Sequence, residues 1–185
     1  EAHQVMRILQ VIPFFSPKMG GSPQVAYQIS LQLAQRGHQV TLATSDYGLK
    51  EARFPQGPFQ VLPFPNLFAR WGFYFNPAFY FWLKKHISEF DIVHLHEYRT
   101  FQNIIARHFS VKNRIPYILA AHGTMLVIVQ RQLAKRIYDL LFGKQILANA
   151  KVLVAVAPVE IEQYEQFVSD KRRIRLVYNG LNLGD

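Results

Sequence analysis

Cysteine is absent from the 185 residues, which excludes a disulfide framework and thiolate chemistry and fits a reducing compartment. No apolar run approaches the roughly 18 residues needed to span a bilayer, and the start lacks the charged, apolar and cleavage-site order of a secretion signal. The chain begins with Glu1 rather than Met, as expected of a processed or excised segment. Internal repeats and low-complexity tracts are missing. Acidic residues are scarce, 12 Asp and Glu against 21 Lys and Arg, for a formal net charge of +9. That imbalance favours a negative partner: a phosphate-bearing substrate, an acidic glycan, an anionic membrane or nucleic acid. At 50% hydrophobic the chain can bury one good core and reads as one domain.

What is present is organised around residues 5–37. Val5, Ile8, Leu9, Val11 and Ile12 form a run too continuous for a surface strand, so it belongs at the centre of a parallel sheet. Gly20 and Gly21 allow the backbone a positive φ and a close ligand approach. Ser22 reads as the N-cap of a helix with Pro23 at its first position. Val25, Ile29 and Leu33, with Ala26 and Ala34 beside them, predict a helix face packed on the sheet, ended by Gly37. The free N–H groups at such a start make an anion-binding corner. Two glycines alone serve a tight turn equally well, being far short of a full dinucleotide or P-loop fingerprint.

Strands and helices then alternate almost to the end. Further strands are predicted at His38 to Ser45, Phe59 to Phe64, Asp91 to His96, Pro116 to Ala121, Lys151 to Val156 and Ile174 to Val177. Pro63 cannot donate to a ladder and moves its strand toward an edge. Helices are predicted at Pro77 to Glu89, Thr100 to Lys112, Gln130 to Ala148 and Val159 to Phe167. This order implies a Rossmann-like, doubly wound parallel sheet with helices on both faces. In such a sheet the first strand and the DIVHLH strand meet at the switch point, where ligands bind. The glycine loop then faces His96, Glu97 and Tyr98, and His122 and Gly123 project from the same edge.

The stretches PFFSPKMGGSPQVAYQISLQLAQRGHQVTLAT, DIVHLHEYRT, PYILAAHGT and RLVYNGLNLGD, in that order and spacing, resemble the amino-terminal half of family four retaining glycosyltransferases of the GT-B fold. The resemblance covers essentially the whole chain. It implies a two-domain enzyme that transfers a sugar from a nucleotide diphosphate sugar, a co-substrate held mainly by a carboxy-terminal domain. The amino-terminal domain, here residues 1–178, holds the acceptor; Asn179 and Gly180 match the NG that opens the linker, 179–185. The paired glutamates of the donor side are missing, so the carboxy-terminal domain is absent and the fragment alone is not expected to turn over. Where family members continue with aspartate, this chain has Asn182.

By position, Gly20, Gly21 and Ser22 match the loop lying near the donor phosphates, whose N–H groups suit a leaving diphosphate. His122 matches the histidine of the HG motif, which contacts the transferred sugar near the reaction centre; a hydrogen-bonding role is expected rather than a covalent one. Retaining members of this fold are thought to react on one face of the sugar with the leaving phosphate as base. Gly123, His96, Glu97 and Arg99 complete the expected substrate contacts, Glu97 by orienting an acceptor hydroxyl or acting as base, Arg99 and Lys18 by receiving an acceptor phosphate. Solvated or core roles are the alternative for each. His94 and His96 share a strand face that a metal could bridge, yet no third ligand accompanies them, and neither a metal nor another cofactor is expected.

The stretch Phe64 to Lys85, FPNLFARWGFYFNPAFYFWLKK, holds both tryptophans and many of the 15 phenylalanines. Trp71 and Phe73 beside Lys84 and Lys85 suit a membrane interface. Leu133, Ile137, Leu140 and Leu141 form an apolar stripe among Arg131, Lys135, Arg136 and Lys144. These features fit a cytoplasmic enzyme, peripheral at the inner membrane face, extending a glycan or lipid-linked saccharide. The opposing expectation makes the aromatics core and the cations a solvated face. A non-catalytic membrane- or polyanion-binding α/β module is the alternative function. Single-stranded nucleic acid is not an expected partner, because the aromatics cluster in one segment without a recognised RNA-binding motif.

Overall fold

The computed structural model describes residues 4–70, 73–125 and 132–180. Strand β1 (Arg7–Val11) leads through a glycine loop to α1 (Gly21–Gln35) and β2 (Gln39–Ser45); β3 (Gln60–Phe64) follows. A short antiparallel pair, β4 (Phe68–Arg70) and β5 (Phe73–Phe75), precedes α2 (Pro77–His86) and β6 (Ile92–His96). Then come α3 (Phe101–Asn113), β7 (Tyr117–Ala120), α4 (Gln132–Tyr138), α5 (Lys144–Asn149), β8 (Val152–Ala155), α6 (Pro158–Glu165) and β9 (Ile174–Leu176). Seven strands form one sheet in the order β3-β2-β1-β6-β7-β8-β9, every neighbour parallel. Strand order reverses between β1 and β6, as expected, and β3, with its exposed Pro63, is an edge.

Side chains alternate across the sheet, so each strand serves two layers. Leu9, Val11, Val93, Leu95, Leu119 and Leu153 point into the larger core, where Phe79 and Leu83 of α2, Phe109 of α3, Ile146 of α5 and Tyr164 of α6 meet them. Burying each such Leu stabilises the fold by about 1.5–3 kcal/mol. Ile12 and Leu42 face the other way, with Ala26 and Tyr27 of α1. Gln10, His94 and His96 share that second face. The stripe predicted to seal α1 on the sheet divides differently: Pro23, Ala26, Tyr27 and Ser30 are the buried residues. Ala26 and Ser30 are small and let the helix approach closely, which leaves Val25, Ile29 and Leu33 half-buried. Those three flank an apolar trough of about 330 Å³ whose floor includes His94, Ala120 and Val154.

The structure resolves one open alternative in part and corrects one expectation. The aromatic stretch is not uniform: Phe64, Tyr74 and Phe79 are buried, and Trp82 packs 5.4 Å from Phe64, whereas Leu67, Phe68, Phe75 and Phe81 are exposed. Trp71 lies outside the described residues. The helix expected over Gln130 to Ala148 changes register in its middle, where a π turn spans Asp139–Gly143; residues 130 and 131 fall outside the described residues. Gly143 is required there, since a Cβ would run into the Tyr98 hydroxyl and lie 2.8 Å from Asp139 Oδ1.

Candidate functional site

The segments following β1, β6, β7 and β8 meet at the carboxyl edge of the sheet. Gly20 sits at φ 109°, ψ −168°, and is itself the N-cap of α1; no side chain caps the helix and no acidic residue occupies its first turn. The positive helix end is therefore left open to an anion. Ser22, expected as the cap, is the second helical residue, and its hydroxyl donates to Glu97 Oε1. Glu97 has φ 66° and is held by its own N–H to the Ala120 carbonyl at 3.0 Å. Burial pushes its carboxyl upward, against the pull of the Ser22 and Thr124 hydrogen bonds. A carboxyl tuned this way can orient or exchange a proton with a hydroxyl.

His122 follows β7 at φ 51° and Gly123 at φ 78°. Among the described residues, and outside a helix cap at Arg114, the positive-φ residues other than glycine are Glu97 and His122, both at this edge. Each such conformation costs on the order of 1–3 kcal/mol and persists only where surroundings enforce it. At the His122 turn the enforcing group is Glu160, a residue 2% exposed. Its Oε1 accepts from the Gly123 N–H and its Oε2 from the Val156 N–H at 2.7 Å, tying the β7 and β8 turns together. His122 Nε2 lies 3.0 Å from His96 Nδ1, with the rings 4° from parallel, and His96 Nε2 lies 2.5 Å from the Gln10 amide oxygen. The His94 ring lies 4.2 Å from that of His96, tilted by 33°. Burial pulls His94 down to about 3 and His122 to about 4, and drives His96 well below the usual imidazole range, so all three stay neutral in a near-neutral medium.

Residues 19–185 match Glycosyltransferase Family 4. The chain belongs to that family. No curated protein sequence matches it. Among solved structures, HepE of Anabaena in complex with UDP-glucose superposes with a TM-score of 0.68 at 16% identity, over 96% of this chain and 44% of that one. A glycosyltransferase from Rickettsia africae ESF-5 gives 0.63 at 20% identity, over 97% and 44%. MurG of Acinetobacter baumannii gives 0.54 at 12% identity, over 96% and 47%. At these identities the likeness shows the fold, one half of GT-B. The family 4 chain spans less than half the length of the structures it matches.

Within this family 4 domain the expected residues separate by environment. Gly20, Gly21, Ser22, Glu97, His122 and Gly123 come together. His96 lies beneath them, fully buried, with both ring nitrogens engaged. Arg99, expected to receive a phosphate, turns inward: Nε and one terminal nitrogen donate to Asp139 at 3.0 and 2.7 Å, and the other donates to the Thr124 and Met125 carbonyls. It fastens the β6 turn to the π turn. Lys18 is exposed on the glycine loop, and Asn179 and Gly180 are exposed at the trough. Phe73 rests 6.3 Å from the Phe101 ring, and Lys84 and Lys85 are exposed in the last turn of α2, where they also suit the helix dipole. Among the described residues no group of three metal-ligating side chains could hold a metal ion.

Sequence reasoning passed over Gln10, Asp139 and Glu160. Glu160 had a local signal, a glutamate two residues after a helix-starting Pro158, the position from which a side chain reaches back to the preceding N–H groups. Gln10 and Asp139 carry none; their partners lie 86 and 40 residues away.

Proposed function

We propose that this domain is the acceptor-side half of a retaining glycosyltransferase that moves a sugar from a nucleotide diphosphate sugar to a glycan or lipid-linked saccharide. The observation carrying the proposal is the meeting of three features in one family 4 crevice: the open, uncapped start of α1, the Ser22–Glu97 pair and the clamped His122 turn. The N–H groups at Gly20 and Gly21 would face the leaving diphosphate, whose growing charge the helix end stabilises. His122 would touch the sugar, and Glu97 would orient the acceptor hydroxyl. The leaving phosphate serves as base. A second half, as long again in HepE and MurG, would hold the nucleotide, and no metal is required by this arrangement.

A membrane-bound acceptor is favoured by one surface. Leu133, Leu140 and Leu141 of the α4 and π-turn element are 72%, 69% and 54% exposed, with Arg136 and Lys144 beside them. The β4–β5 pair adds exposed Leu67 and Phe68. Both elements flank the start of α3, just past the Glu97 turn: Phe75 packs 4.8 Å from Phe101, and the Tyr138 hydroxyl donates to the Thr100 carbonyl at 2.8 Å. No described helix is long and apolar enough to cross a membrane, so contact would be interfacial.

The test is a transfer assay of the whole gene product against a panel of nucleotide sugars, with and without lipid extract. Release of nucleoside diphosphate from one donor, stimulated by lipid and abolished by His122→Ala at unchanged folding, is the expected result. Absence of release from every donor, by folded protein, would assign the domain to the binding-module alternative.

A further inference from the structure

A cleft of about 740 Å³ lies at the amino edge of the sheet, at the other end of the strands from the crevice. The length of β1 alone separates the two by roughly 13 Å. The floor of the cleft breaks the pattern of the sheet. Leu9, Val11 and Ala43 enter the larger core from one side of it. The strand register brings Arg7, Gln39, Thr41 and Gln60 onto that same side at the starts of β1, β2 and β3. Period-two alternation asks for apolar residues there. Four polar ones stand side by side instead, and none of them is buried. Across from them stand Phe90 and, from α2, Trp82 and His86, whose rings are 5.2 Å apart and 24° from parallel.

We propose that this cleft is a second saccharide-binding site, which holds a short stretch of neutral glycan away from the transfer crevice. The inference goes beyond the transfer reading, because the chemistry of the cleft is its own. Where the crevice adds sugar to a growing chain, a chain anchored here would return to it at high effective concentration.

Three features select that ligand. The cations are already spent: Arg7 Nη2 and His86 Nδ1 lie 3.0 and 2.7 Å from the two carboxylate oxygens of Glu89, which leaves little to hold a phosphate. The side chains of Gln39, Thr41 and Gln60 and the Trp82 indole N–H have no hydrogen-bond partner among the described residues. An amide and a hydroxyl each both donate and accept, whichever way round they sit, as the hydroxyls of a sugar require. The aromatic wall gives the C–H face of a pyranose a surface to pack on, and the volume falls in the range of small-molecule sites.

The test is NMR titration of the ¹⁵N-labelled whole gene product with maltotriose, cellotriose and chitotriose. Each is taken to about 10 mM, since an open site of this kind is expected to bind with a Kd of roughly 1 mM. At least one should shift the Trp82 indole resonance, identified by its loss in Trp82→Phe, together with the side-chain amides of Gln39 and Gln60. Gln39→Ala with Gln60→Ala, both at exposed positions that tolerate truncation, should weaken that binding about tenfold or more. If Trp82→Phe does not fold, the two amides, identified by the double variant, still decide. The proposal is overturned if no trisaccharide moves these resonances, if inorganic phosphate moves them instead, or if the double variant binds unchanged. The two readings fail separately: transfer by a protein whose cleft binds no trisaccharide removes the second site, and binding at the cleft without transfer from any donor removes the glycosyltransferase reading.

Discussion

At the crevice every ring has a neighbour that fixes it. His122 stacks on His96, the His94 ring leans against His96, and Glu160 holds the turn that carries the first of them. On the outer face of α4 and the β4–β5 pair, Leu133, Leu140 and Phe68 stand in solvent. Both regions adjoin the same short stretch of chain, residues 97–101, through Glu97 at the crevice and Thr100 and Phe101 at the outer elements. The contrast shows where the fold invests stability: in the polar, water-excluded side, where burying an unpaired group is expensive, and hardly at all in the apolar outer side.

Acid is the strongest way to break that contrast. The three buried imidazoles bind protons far more readily once unfolded, so stability is fully present above pH about 6.5 and is lost as pH falls toward the folded values of about 3 for His94 and about 4 for His122. Each contributes about 1.4 kcal/mol per pH unit in that window, up to about 4 together, offset in part by the raised Glu97. Denaturant unfolding across pH 7 to 5 should show a steep loss; a flat profile would mean the cluster is open to water. Next in size is Asp139→Asn, which leaves the nearly buried Arg99 guanidinium (side chain 10% exposed) uncompensated and should cost about 3–5 kcal/mol. Thermal unfolding measures it, and a loss below 1 kcal/mol would make the Arg99 link incidental.

Glu160→Gln keeps shape but exchanges one acceptor for a donor facing an N–H. It should cost about 1–3 kcal/mol and broaden the amide resonances of Gly123 and Val156; unaltered resonances would remove the clamp. The smallest effect is expected outside. Leu133→Ser with Leu140→Ser should change stability by at most about 0.5 kcal/mol while releasing the protein from anionic vesicles. Retained sedimentation with vesicles would place the lipid contact elsewhere.

The seven sheet strands, the edge at Pro63 and the switch between β1 and β6 were legible because each follows from a local run of apolar residues and from rules of handedness. Convergence of Gly20, Glu97 and His122 was legible for the same reason. What escaped depends on partners far away in sequence. Ser22 reads as a cap until Glu97 lies opposite it; Arg99 reads as a phosphate ligand until Asp139 arrives. Strands β4 and β5 have three residues each, too few to show a period, and their aromatic character reads as one continuous block.

The π turn has a further consequence. An α-helix advances about 100° per residue, so the one extra residue in a π turn acts as a phase shifter between α4 and α5. Before it, Leu133 and Ile137 look outward; after it, Ile146 and Leu147 look into the core. Deleting a single residue between Asp139 and Gly143 would rotate the two halves against each other, so that the chain could keep either its sealed core or its greasy exterior at this rod, and not both.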